Sequence, residues 1–77
     1  MSVRILAFSS ARDVLGFGEK LVEVEPNDTA SSLLARIAPG WQPDASVRVA
    51  LDGEFAAWGD PIAQTSELAV IPPVSGG

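Results

Sequence analysis

The chain has 77 residues, is 47% apolar, and carries ten acidic against five basic side chains for a formal net charge of −5. A chain this short forms one domain and buries only about 60–65% of its unfolded surface, which leaves little room for an enclosed active site. Cysteine and histidine are absent, which excludes a disulfide framework, a thiol nucleophile and a histidine base or metal ligand.

The basic residues Arg4, Arg12, Lys20, Arg36 and Arg48 form no run, so nucleic-acid binding is disfavoured. No apolar stretch approaches the roughly 20 residues that span a bilayer, and the first residues show no basic segment followed by an apolar one. The expectation is a cytoplasmic protein without membrane contact.

In chain order, Val3-Arg4-Ile5-Leu6-Ala7-Phe8 is rich in strand formers and predicts a first strand over residues 2–9. Ser9 or Ser10 is placed to cap a short helix from Ala11 to Leu15, and Gly16 to stop it. After a turn at Phe17-Gly18, polar and apolar residues alternate from Lys20 to Glu25, the pattern of a strand with one wet face. Pro26-Asn27-Asp28-Thr29 reads as a turn leading into a helix, with Thr29 as N-cap and Asp28 near the positive helix end. The helix is predicted from about Ala30 to Ala38, with Ala30, Leu33, Leu34 and Ile37 on one face and Pro39-Gly40 ending it.

Residues 41–46 form a loop in which Trp41 is expected to plug the bottom of the core. Val47 to Leu51 alternates again and ends at Asp52-Gly53, a tight-turn dipeptide, from which residues 54–58 return as a short edge strand. Gly59-Asp60-Pro61 breaks the chain, Ile62 packs inward, Gln64-Thr65-Ser66 turns, and residues 67–71 form the last strand. Strands interleaved with one long and one short helix predict an α+β domain in which one main helix packs on one face of a mixed sheet.

Beyond that strand the chain continues as Pro72-Pro73-Val74-Ser75-Gly76-Gly77. Two prolines remove two donors and favour an extended path, so the tail projects from the domain. Gly76 and Gly77 lack side chains, and a backbone without Cβ atoms can enter a channel closed to any other residue. What such a channel receives is the Gly77 carboxylate.

Ile71-Pro72-Pro73-Val74-Ser75-Gly76-Gly77 resembles the C-terminus of the small, sulfur-carrier subunits of molybdopterin synthase, the MoaD type of the ubiquitin-like β-grasp sulfur carriers. Phe8-Ser9-Ser10-Ala11-Arg12-Asp13-Val14-Leu15-Gly16 is similar to that family's aromatic, Ala-Arg-acidic, Gly segment, and the length also suits it. Two turns depart from the family pattern, Asp52-Gly53 and Thr65-Ser66-Glu67. The resemblance implies a ubiquitin-like β-grasp fold of about five strands over residues 1–77, with the C-terminal strand central and residues 72–77 as a flexible functional tail.

It also implies the chemistry. An adenylating, E1-like enzyme of the MoeB type would use ATP to activate the Gly77 carboxylate, and a cysteine desulfurase or rhodanese would supply sulfur to form a thiocarboxylate there. The large, catalytic subunit of the synthase would then direct that sulfur at cyclic pyranopterin monophosphate to build the dithiolene. Pro72, Pro73, Val74, Ser75 and Gly76 would be recognition elements; no cofactor and no metal would be bound by the chain itself. Two alternatives remain open: a carrier for another sulfur pathway, such as thiamine thiazole or amino-acid synthesis, and a ubiquitin-like protein modifier.

Alternation assigns Val3, Ile5, Val22, Val24, Val47, Val49, Leu68 and Val70 to the helix-covered face, leaving Leu6, Phe8, Leu21, Ala69 and Ile71 on the other. The second set is too apolar for a free surface and adjoins the tail, so Leu6, Phe8, Leu21 and Ile71 are predicted to dock a partner unless the first helix or loop 54–64 covers them. Other clusters carry less. Glu23 with Glu25 and Asp52 with Glu54 read as solvated strand and turn residues, Ser9-Ser10 and Ser31-Ser32 lack a base, and Gly16-Phe17-Gly18 is too short for a phosphate loop.

Overall fold

The computed structural model describes residues 1–40 and 46–73. Its elements are β1 (Ser2–Ala7), α1 (Ser10–Leu15), β2 (Glu19–Glu23), α2 (Ala30–Ile37), β3 (Arg48–Leu51), β4 (Glu54–Ala56) and β5 (Glu67–Ile71). The five strands make one sheet in the order β2-β1-β5-β3-β4. β1 and β5 run parallel and every other pair is antiparallel, so the last strand lies at the centre of a mixed sheet, as the resemblance implies.

Alternation decides which face is dry. Val3, Ile5, Val49, Leu68 and Val70 are fully buried, and they share one core with Ala30, Leu33 and Leu34 of α2. Burying a side chain of this size contributes about 1.5–3 kcal/mol, so these eight positions dominate the stability of a small domain. Ala11 of α1 and Ile62 belong to the same core. Both segments that could have folded over the opposite face therefore pack on the helix side.

Local signals set most boundaries. Thr29 Oγ1 accepts from the Ser32 amide at 3.0 Å while Ser32 Oγ accepts from the Thr29 amide at 2.8 Å, a reciprocal capping box that starts α2. Gly16 ends α1 in the left-handed region at φ 85°. Asp52 (φ 51°) and Gly53 (φ 87°) form the tight β3–β4 turn, and Asp52 Oδ1 accepts from the amides of Ser66 and Glu67 at 3.0 and 2.9 Å, tying that turn to the start of β5.

Three expectations are corrected and a fourth is extended. β1 ends at Ala7 rather than residue 9, because Ser9 adopts φ 49° and turns the chain. Neither serine caps α1 as expected: Ser9 holds the N-cap position without a side-chain cap bond. The strand after the Asp52-Gly53 turn ends at Ala56, and Trp58 packs against the core with its Nε1 donating to the Val47 carbonyl at 3.1 Å. The Trp41 expectation lies outside the described residues. Finally, Asp28 does more than favour the positive helix end. It is 5% exposed and accepts from both terminal nitrogens of Arg36, at 2.9 and 2.8 Å, and from the Glu25 amide at 2.8 Å.

Candidate functional site

The site is built on the exit of β5. Leu68, Ala69 and Val70 are buried and Ile71 half-buried, so the strand is held on both sides up to its last residue. Pro72 is buried and Pro73 exposed, which puts the point where the chain leaves the domain between two residues that cannot donate to a neighbouring strand. β1 runs parallel to β5, so Met1 and the tail lie at opposite ends of the sheet. Val74, Ser75, Gly76 and Gly77 lie outside the described residues.

One side of this exit is a cleft of about 250 Å³ lined by Ser10, Ala11, Val14, Ser46, Val47, Pro72 and Pro73. Val14 is 52% exposed. A wider, open hollow of about 480 Å³, lined by Ser9, Arg12, Asp13, Gly16, Phe17 and Gly18, includes neither Pro72 nor Pro73.

The other side is the uncovered face of the sheet. Strand register places Leu6 beside Ala69, Ala69 beside Ala50, and Ala50 beside Phe55 in one row across four strands. Next to it, nearer the tail, Ile71 pairs with Arg48, and the Phe8 amide donates to the Val70 carbonyl at 3.4 Å. Phe8 is 47% and Phe55 60% exposed. Of the four predicted docking residues, the structure brings Leu6, Phe8 and Ile71 together around the root of the tail.

Leu21 is set apart. Its register partner is Arg4, whose Nε pairs with Glu19 at 3.0 Å diagonally across the same face, so a charged pair separates Leu21 from the apolar rows. In its place the face contains Ala50, Phe55 and the guanidinium of Arg48, which lies 4.1 Å from the Phe55 ring centroid. The sequence signal for these was available: a two-residue Asp52-Gly53 turn puts Leu51 opposite Glu54 and Ala50 opposite Phe55.

Electrostatics set the site apart from Asp28, the one strongly shifted acid among the described residues. Arg36, with help from the Glu25 amide and the Ser32 hydroxyl, holds the Asp28 carboxyl far below the usual carboxylate range. That network secures α2 and supplies no group to the tail. Among the described residues no three acidic groups converge as a metal site would require, and no helix is long and apolar enough to cross a membrane.

A model of the ThiS family matches residues 5–77. The chain is 37% identical over 84 residues to the molybdopterin synthase sulfur carrier subunit of Caenorhabditis briggsae, covering 100% of this chain and 99% of that one. Its fold is similar to SAMP1 from Haloferax volcanii, with a TM-score of 0.80, 28% identity and full coverage of both chains. It is also similar in fold to a putative molybdopterin converting factor, subunit 1, from Pyrococcus furiosus, with a TM-score of 0.72 and 21% identity over 96% of this chain and 99% of that one.

Proposed function

The chain belongs to the ThiS family, and on that premise we propose that it is the sulfur-carrier subunit of a molybdopterin synthase, with Gly77 as the atom-bearing terminus. The observation that carries this reading is the end-to-end likeness to the Caenorhabditis briggsae sulfur carrier subunit. The geometry of the exit supports it: a central strand held on both sides is followed by two prolines, the first buried and the second exposed.

A carboxylate resists nucleophiles because its charge is delocalised over both oxygens, so it must be activated. The Gly77 carboxylate attacks the α-phosphate of ATP on a separate adenylating enzyme, pyrophosphate leaves, and an acyl-adenylate results. The terminal sulfur of a donor persulfide displaces AMP to give an acyl disulfide, and a second thiol of the donor then cleaves the S–S bond, releasing the Gly77 thiocarboxylate and leaving the donor oxidised to a disulfide. The large synthase subunit binds the tail and directs this sulfur nucleophile at cyclic pyranopterin monophosphate. The domain's own part is to present the tail and to dock, through Leu6, Phe8 and Ile71 on one side of the exit and Val14 on the other. With neither cysteine nor histidine in the chain, no thiol or imidazole of its own competes for the activated carbonyl.

The test is affinity capture from native cells of a form tagged at the N-terminus with Gly77 free, followed by mass spectrometry. Co-purification of a molybdopterin synthase large subunit, with sulfur replacing one terminal oxygen in part of the carrier, is the expected result. Capture of thiazole or amino-acid enzymes instead would reassign the pathway. Lysine-linked adducts with no thiocarboxylate would make the protein a modifier.

A further inference from the structure

The uncovered face carries a cation to which the carrier reading gives no role. Arg48 on β3 is the register partner of Ile71, the last strand residue before the tail. Its guanidinium lies over the Phe55 ring at 4.1 Å, and that ring is itself 60% exposed. Of the two arginines on this face, Arg4 is paired with Glu19, whereas Arg48 has no carboxylate or carbonyl partner among the described residues.

A guanidinium resting on an aromatic face keeps its N–H donors free for another acceptor. When a partner covers this face the charge loses its water. A purely apolar surface would leave it buried and unpaired, which is strongly unfavourable. A surface that presents a carboxylate would instead form charge-assisted, two-point hydrogen bonds in a drier setting. The same arrangement therefore rejects one kind of partner and selects another.

We infer that Arg48, steadied by Phe55, is a specificity-determining contact, and that the protein seated on the open face places a carboxylate over it beside the root of the tail. The inference rests on the carrier reading, in which that protein is the synthase large subunit. A second copy of the chain fits poorly, because the net charge of −5 on each copy opposes self-association.

The test uses the full chain with Gly77 free and the purified large subunit from the same organism, with affinity read by titration calorimetry. Circular dichroism and thermal melts establish that Arg48→Glu and Arg48→Lys fold like the wild type. Arg48→Glu is expected to weaken binding at least about tenfold and Arg48→Lys by less, since lysine keeps the charge and loses the two-point geometry. Changing one Asp or Glu of the large subunit to Arg is expected to restore binding to Arg48→Glu. Wild-type binding that Arg48→Glu matches within about twofold overturns this inference and leaves the carrier reading standing. Absence of wild-type binding overturns the carrier reading and this inference with it. Dimerisation of the isolated chain in sedimentation, abolished by Arg48→Glu, assigns the face to a second copy and overturns it as well.

Discussion

Two residues bear unequal kinds of weight. Gly77 carries the covalent chemistry of the proposed function. Adding one alanine after Gly77 is expected to abolish thiocarboxylate formation while leaving the thermal midpoint unchanged, as mass spectrometry and a melt read together would show. Replacing Gly76 by Val introduces a branched Cβ where a narrow channel admits none, and is expected to slow adenylation or transfer at least about tenfold. Asp28 is the opposite case. It holds α2 through Arg36, 42% of whose side chain is exposed. Solvent therefore screens part of the pair, and Arg36→Ala is expected to lower the urea midpoint modestly while leaving tail chemistry intact. Because the folded state depresses the Asp28 pKa, its contribution is complete above the unfolded value and is lost as pH falls below about 4. Urea midpoints at pH 7 and pH 3 should differ more for the wild type than for Asp28→Asn.

The element that matters most is β5, with the face it shares with β1 and β3. Ile71→Asp places a charge in the middle of the uncovered apolar rows and is expected to abolish binding of the large subunit without unfolding the domain. Leu21→Asp lies beyond the Arg4–Glu19 pair and is expected to weaken it far less. Equal losses from the two changes, measured in one calorimetric series, would show that the partner covers the whole face. On the other side of the sheet, Leu33 is fully buried between α2 and the strands. Leu33→Ala should cost about 2–4 kcal/mol and lower the melting midpoint while leaving tail chemistry intact below it.

At the scale of the molecule, the parallel pairing of β1 with β5 puts the first residue and the tail at opposite ends. An N-terminal fusion is therefore expected to leave sulfur loading at the wild-type rate, and a C-terminal one to prevent it. The same arrangement gives the exit two apolar flanks, Val14 with the cleft on the helix side and Phe8 with Ile71 on the open side. A partner that receives the tail can grip the domain from both. With both candidate covers, Ala11 and Ile62, drawn into the core, the open face stays available for that grip.

Much of this was legible in the chain alone, because it is local. Period-two alternation gave the strands and their dry face, Thr29 the start of the long helix, and Asp52-Gly53 the hairpin. Strand order was not local; the central place of β5 came from the resemblance, since pairing between residues some sixty positions apart leaves no mark in either segment. For the same reason only the tertiary structure could decide that Arg36 closes on Asp28, that the Arg4–Glu19 pair isolates Leu21, and that Arg48 and Phe55 meet beside the tail. Each of these depends on where a side chain ends up relative to a distant segment. Periodicity and capping record only what a residue does to its neighbours in sequence.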